Sequence, residues 1–333
     1  MTATAAGPPD VTSPVPREVW RHALSADPLA LVTQTPGWLD AILDTGDYLD
    51  AGRWYRWPDG RQLILPMVRP RCAPPGGEGG LAWPREWGIG GVVAPGQPVT
   101  EAQARAVFAD LGRRRGGPVL LRPSPLTDAV WRSAAPAAAR VTPRVTYVVD
   151  LAGGFDAVWR ERFSGRVRRH VRKAERSDLT VVRGNTPALL DDFDRLYRLS
   201  VRRWADQEGT DHATALRHAD RTNPRRNFAA VARHLAEDCV IRMAYLGGEP
   251  VAGIVTLWHG RHAKYWRGAM DKPAAAATCA PTLLQSLAIR EACERGCLLY
   301  HMGDSRAGDP VSRFKLGFGA AAHHGAAYAL GPL

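Results

Sequence analysis

Lysine is nearly missing from this chain. It occurs only at Lys173, Lys264, Lys272 and Lys315, all in the second half of the 333 residues. Yet the formal net charge is +11 and the pI about 9.9, so almost all of the positive charge is arginine. A basic balance favours anionic partners such as nucleic acid, phosphorylated cofactors or acidic membrane surfaces, and says nothing of fold. An Ala/Arg/Gly/Pro-rich composition also fits a GC-rich genome, which supplies part of the basicity.

Cysteine is scarce too. There are five, an odd number with no CxxC pair. That excludes a disulfide scaffold and points to a reduced, cytoplasmic protein with buried thiols. Cys293 and Cys297 are four apart, but no histidine cluster completes a zinc set, and His301, His323 and His324 form none. No metal is expected. There is no G-x-S-x-G elbow and no cysteine beside a plausible base, so a covalent nucleophile is not supported. No helix-turn-helix, zinc finger or RNP element occurs, which argues against sequence-specific DNA reading. No apolar run is long enough to span a bilayer. The amino terminus, MTATAAGPPDVTSPVP, lacks the basic and apolar regions of a secretory signal and reads as a disordered leader over 1–17.

What is present is ordinary for a folded chain: 45% hydrophobic and 23% charged residues. The length allows two domains. TPGWLDAIL reads as a short capped helix, and RWYRWPDGRQLILPMVRP as a hairpin around Pro58-Asp59-Gly60. A Gly/Pro-rich stretch over 70–98 carries Trp83 and Trp87. A helix over 99–115, a buried strand in GPVLLRPSP and a strand ending near Leu151 complete the first half.

The second half restarts the pattern. SGRVRRHVRKAER, residues 164–176, is the densest positive run. Phe163, Val167, Val171 and Ala174 form its apolar stripe, and Arg162, Arg166, Arg169, Lys173 and Arg176 share the opposite side. Thr186 and Pro187 open a helix that Gly209 ends. CVIRMAYLGGEPVAGIVTLWHGRHAKYWRGAM gives three strands with turns at Gly247-Gly248 and near Gly260. APTLLQSLAIREACERG is a helix stopped by Gly296, CLLYHMGDS a strand leading into a loop, and DPVSRFKLGFGA a short helix or turn before a last strand over 323–330. The repeated order of elements suggests an ancient duplication.

Residues 160–319 resemble the acyltransferase domain of the Fem/BioF2-like branch of the GNAT superfamily. The resemblance rests on RKAERSDLTV, on the meander with Ala244, Gly247 or Gly248, Ala252, Gly253 and Tyr265, and on Phe314, Lys315 and Gly319 of the terminal element. The first half is similar to the degenerate companion domain, with its LAWPREWGIGG. The resemblance implies an α/β (α+β) chain of two GNAT-like domains, over 18–150 and 151–333, each a mixed, mostly antiparallel sheet flanked by helices. It further implies transfer of an acyl group to an amine acceptor, a small molecule or a peptide, by direct attack. The donor's carbonyl would sit at a splay between two central strands and its phosphates at a helix N-terminus near Pro281 and Thr282. The usual coenzyme A loop is glycine-rich. This chain has KPAAAATCAPT there, which moves weight from acyl-CoA toward an aminoacyl-tRNA donor.

The candidate site residues follow. Arg166, Arg169, Lys173 and Arg176 would grip donor or tRNA phosphates, since arginine makes fork-shaped, charge-assisted bonds to phosphate; the alternative is a solvated face. Thr282 is placed with them. Lys315, one of four lysines, would meet donor phosphates or stabilise charge at the reacting carbonyl, or stand as a surface lysine. Asp304, at the end of a strand, would act as general base or cap a turn. Tyr265 would position substrate, act as an acid, or sit in the core. Arg202, Arg203 and Arg267 are candidates for the acceptor pocket, or surface charge. Three functions stay open: an acyl-CoA-dependent N-acyltransferase, a Fem-like aminoacyl-tRNA-dependent enzyme, and an inactive paralogue that binds RNA or another anion. The oligomeric state is not legible.

Overall fold

The structure, a computed structural model, describes residues 7–72, 80–84, 86–114 and 118–331. The chain divides into two units. One runs to Thr146 and takes back the stretch from His323 onward, and the other is Tyr147–Ala322.

In the first unit the elements are β1 (Asp10–Thr12), α1 (Arg17–Ser25), α2 (Pro36–Leu43), β2 (Tyr48–Asp50), β3 (Arg53–Arg56), β4 (Gln62–Leu65), β5 (Val68–Pro70), β6 (Gly80–Leu81), α3 (Glu101–Gly112), β7 (Val119–Leu121), α4 (Asp128–Ala134) and most of β8 (Arg140–Asp150). The expected hairpin is β3–β4, with Arg53 opposite Leu65 and Arg56 opposite Gln62. Gly60 supplies the left-handed turn residue, with φ +83°. Helix α2 is capped as expected: the Thr35 hydroxyl accepts from the Trp38 amide and Pro36 fills the first turn.

Two expectations for this part change. The 1–17 leader is not disordered throughout. Asp10–Thr12 pairs with the open edge of β3, Asp10 opposite Arg56, and the two side chains form an ion pair. An unpaired edge offers backbone donors and acceptors that three residues satisfy. Residues 1–6 of that leader, Arg85 of the Trp-Pro stretch, and 73–79 and 115–117 lie outside the described residues. The final strand also differs from the 151–333 assignment. From His323 on it belongs to the first unit, where Tyr328 pairs with Leu121. There the buried Asp128 carboxylate accepts from the Ala326 amide and the Tyr328 hydroxyl, 3.0 Å each. Phe108 packs edge-on against both Trp131 and Tyr328.

The second unit begins with the end of β8. Next come α5 (Gly154–Ala157), a wide π-type turn over Val158–Arg162, α6 (Gly165–Glu175), β9 (Leu179–Gly184), α7 (Pro187–Glu208), α8 (His212–Thr222) and α9 (Arg225–Leu235). Then follow β10 (Cys239–Leu246), β11 (Glu249–His259), β12 (His262–Met270), α10 (Lys272–Thr278), α11 (Ala280–Glu294), β13 (Leu299–Asp304), α12 (Pro310–Gly317) and the start of β14 (Ala321–Leu330). The strand order is β8-β13-β12-β11-β10-β9. The pairs from β9 to β12 are antiparallel, and β12–β13 is parallel. This is the mixed, mostly antiparallel sheet with flanking helices that the resemblance implies. In this unit three helices were not foreseen: α8, which buries no residue, α9, and α10 in the alanine-rich stretch.

Candidate active site at a strand splay

Strands β12 and β13 pair only from His262 with Leu299 to Lys264 with His301. Both continue, β12 to Met270 and β13 to Asp304. Beyond Lys264 and His301 the two strands are not paired with each other among the described residues. A bulge follows. Val255 faces Arg267 but Thr256 faces Tyr265, so Trp266 is the extra residue and the strand bends there.

Tyr265 is the first residue of β12 past the paired segment. Its hydroxyl folds back over its own strand, 2.1 Å from where a β-carbon on Gly268 would lie. Burial pushes its pKa up to about 12, so it is a neutral hydrogen-bonding group at ordinary pH. Behind it Tyr300 is fully buried and donates to Gln285 of α11 at 2.8 Å.

Asp304 ends β13 on the other side of the splay, and Lys315 reaches it from α12. The Lys315 ammonium is 3% exposed and donates to the carbonyls of Gly303 (2.9 Å) and Asp304 (2.8 Å). It also lies 5.5 Å from the centre of the Tyr147 ring. Burial lowers its pKa to about 8; Asp304 opposes the shift and Lys264 adds to it. The expected surface alternative for Lys315 is thus ruled out. Two of its three donors are spent on carbonyls. The element is held in place by Gly319, at φ +76°, whose β-carbon would stand 2.6–3.0 Å from Arg162, and by Phe318 packed edge-on to Phe163.

On the paired stretch lie groups the sequence reading did not single out. His262 and His301 are buried and stacked, with Nδ1 and Nε2 2.9 Å apart. One ring donates and the other accepts. Lys264, also buried, is the Cα partner of His301. The alternation His262, Lys264 in a strand was the available signal.

The N-terminus of α11 departs from the expected phosphate site. α10 runs almost into it, joined through Cys279 in the left-handed region at φ +59°. The Ala280 amide donates to the Thr278 hydroxyl (3.4 Å), Pro281 has no N–H, and the amides of Thr282 and Leu283 donate to the Cys279 carbonyl at 3.0 and 3.3 Å. Ala280, Thr282 and Leu283 are buried. Every first-turn donor is spent within the chain, so Thr282 is not placed to bind phosphate. The physical reason is that a helix, not a glycine loop, precedes α11.

The basic run forms α6 as expected. Ser164 caps it, accepting from the Val167 amide, and Val167, Val171 and Ala174 are buried. Arg166, Arg169, Lys173 and Arg176 are exposed, and none pairs with a carboxylate among the described residues. Elsewhere arginines do pair: the exposed Arg195 with Glu249, and the partly buried Arg198 with Asp220 and Arg225 with Asp191. Arg162 leaves the stripe; it bonds to Asp150 and to the Ala152 carbonyl. On the other helix, Arg202 is exposed. Arg203 is half-buried and donates to the Met270 carbonyl at 3.2 Å, and Arg267 donates to Asn223 at 3.2 Å.

The splay beside a bulge, with Tyr265 on β12, Asp304 at the end of β13 and the buried Lys315 on α12, is the candidate functional site. Residues 161–316, just under half of the chain, match the family model of the acetyltransferase (GNAT) domain, so this stretch is similar to the GNAT acyltransferases. No curated protein matches the chain. Among solved structures it is similar in fold to FemX, with a TM-score of 0.70 at 13% identity over 96% of each chain. It is also similar to a conserved protein of unknown function from Bacteroides thetaiotaomicron, with a TM-score of 0.56 at 10% identity over 95% of this chain and 97% of that one. A third likeness is to the C-terminal domain of a putative lysylphosphatidylglycerol synthetase from Agrobacterium fabrum, with a TM-score of 0.52 at 11% identity over 94% and 93%. Among the described residues no cluster of His, Cys, Asp and Glu could hold a metal ion, and no helix is long and apolar enough to cross a membrane.

Proposed function

We propose that the protein transfers an aminoacyl group from a charged tRNA to an amine acceptor, forming an amide or peptide bond. The observation that carries this reading is the closed N-terminus of α11. A coenzyme A pyrophosphate needs free amides there, and this helix spends all of them on Thr278 and Cys279. The unpaired cations of α6 supply a different phosphate-binding face, suited to an RNA backbone. The fold likeness to FemX and to the synthetase domain agrees with it.

In this reading the ester carbonyl lies in the splay. The acceptor's neutral amine attacks it directly, the C–N bond forms, and the C–O bond to the tRNA ribose breaks. The Lys315 ammonium stabilises the negative charge that develops on the carbonyl oxygen. Asp304 takes the proton that the attacking nitrogen loses, and that proton ends on the departing ribose hydroxyl. Tyr265 orients the donor by hydrogen bonding. Arg203 and Arg267 would hold an acidic group of the acceptor, with Arg202 at the rim. Proximity supplies the rest of the rate.

The test is binding of labelled aminoacyl-tRNA to the purified protein across a salt series, with acetyl-CoA as competitor. Tight, salt-sensitive binding that acetyl-CoA does not displace, lost when Arg169, Lys173 and Arg176 become alanine, is the expected result. Displacement by acetyl-CoA, or acetyl transfer from it, overturns the tRNA reading. Binding of tRNA without any turnover, unchanged by loss of Lys315 or Asp304, would mean an inactive RNA-binding paralogue.

A further inference from the structure

Beside the basic helix lies a cavity of about 660 Å³ lined by Gly153, Gly154, Phe155, Asp156, Trp159, Arg290 and Glu294. It plays no part in the transfer chemistry above. Its wall is an aromatic series that runs from core to surface. Phe163 is buried against Phe318, Trp159 packs on Phe163 with centroids 5.7 Å apart, and Phe155 lies 6.1 Å from each of Trp159 and Phe163. The wide turn over Val158–Arg162 carries Trp159, a local geometry that often marks functional positions. Phe155 and Trp159 are only partly buried.

Two arginines frame the rings. Arg290 sits 4.5 Å from the centre of Phe155, and Arg172, on α6, 5.9 Å from that of Trp159. Neither pairs with a carboxylate among the described residues, although Glu294 is one helical turn from Arg290 on α11. The carboxylates of Asp156 and Glu294 likewise have no hydrogen bond or ion pair among the described residues, and both are exposed at the rim.

Such a set selects its ligand. Flat π faces flanked by guanidinium planes suit a planar heterocycle. Two free carboxylates accept hydrogen bonds only, and they repel phosphate. The ligand must therefore present N–H donors at this spot and keep its anionic part elsewhere. Arg172 joins the cavity to the unpaired cations of α6, where that anionic part can lie. We propose that this cavity binds an unstacked nucleobase of the donor RNA, and that guanine fits it best, because its ring N–H and amino group sit side by side and match one carboxylate. Trp159 is the stacking platform, Asp156 and Glu294 read the base edge, and Arg166, Arg169 and Lys173 hold the adjoining phosphates. This inference rests on the tRNA reading for its ligand, but the pocket can be tested alone.

The experiment titrates the full-length protein with guanosine 5′-monophosphate and uridine 5′-monophosphate by tryptophan fluorescence, with bulk tRNA binding measured in parallel. Guanosine monophosphate should bind more tightly. Trp159→Leu should weaken it about ten-fold, the order expected for one stacked base, while Trp159→Phe keeps most of the binding and controls for folding. Glu294→Gln with Asp156→Asn should erase the preference for guanine. If Trp159→Leu, folded by its melting curve, binds both nucleotides and tRNA as the parent does, the pocket is not a base site, whereas the tRNA donor stands. Retained, Trp159-dependent nucleotide binding with no tRNA binding keeps the pocket and sinks the tRNA donor.

Discussion

The hydroxyl of Tyr265 occupies the space that any side chain on Gly268 would need; a β-carbon there would lie 2.1 Å from the oxygen and 3.0 Å from Cζ. The bulge at Trp266 lies between the two residues and bends the strand there. Gly268→Ala must displace the ring from the splay. We expect a loss of roughly 1–3 kcal/mol, the usual cost of overpacking, and a fall in turnover. Replacing Tyr265 by Phe in the same chain removes the worst contact and should recover part of the stability, though not the activity. Thermal melts of the two single variants and the double variant check this. Strictly additive effects would show that the ring had already moved elsewhere.

Lys315 predicts two opposite pH trends. Its folded pKa is about 8, against 10.5 for an unperturbed lysine. Between those values the unfolded chain holds the proton and the folded chain has released it. Stability from this residue therefore rises with pH across about 8 to 10.5. Below pH 8 the buried charge costs about 3 kcal/mol, and Lys315→Met should remove the slope in urea melts run over that window. Activity runs the other way. If the ammonium stabilises the reacting carbonyl, turnover falls as pH rises through about 8. Lys315→Arg, which stays charged, should shift that fall upward, and Lys315→Met should lower the rate about 10²- to 10³-fold.

On α6, His170 offers an internal probe. Its pKa is lowered first by burial, then by Arg166, Arg169 and Lys173. An RNA backbone laid over these cations would neutralise their field. The imidazole pKa should rise on adding tRNA, and should rise without tRNA in an Arg169→Ala, Lys173→Ala variant. In that variant the salt slope of tRNA binding should shrink by roughly one per lost contact. Imidazole proton NMR over pH 5 to 8 reads both. An unchanged His170 in the presence of saturating tRNA would place the RNA on another surface.

Much of this was readable because local chemistry and global packing agree. The cap at Thr186, the stop at Gly209 and the stripe Val167, Val171, Ala174 all stand where their spacing puts them. The misses have physical causes. α8 buries nothing, so it has no periodic stripe to read. α9 does, with Phe228, Val231 and Leu235 on its buried side, and could have been found. α10 looks like a substitute loop until its ends are considered: Asp271 accepts from the Ala274 amide and Pro273 fills the first turn. The closure of α11 hangs on that helix, so the phosphate role given to Thr282 could not survive it. Lys315 was legible as an element but not as a buried group, since its burial depends on carbonyls eleven and twelve residues away.

Glu291 carries a final expectation. It accepts from Arg183 (3.1 Å), from Arg295 and from Arg242, and Arg242 is 3% exposed. Arg183 and Arg242 stand on neighbouring strands in direct register, so one carboxylate on α11 pins the outer strands of the second unit to their helix. Nη1 of Arg242 has no partner, which leaves the guanidinium dependent on Glu291 for its compensation. Glu291→Leu strands a buried cation and should cost about 3–5 kcal/mol, whereas Arg242→Met together with Glu291→Leu removes both charges and should cost far less. Chemical denaturation of the three variants decides it. If the double variant is as unstable as Glu291→Leu alone, the carboxylate is anchoring the sheet through Arg183 and Arg295 rather than through the buried pair.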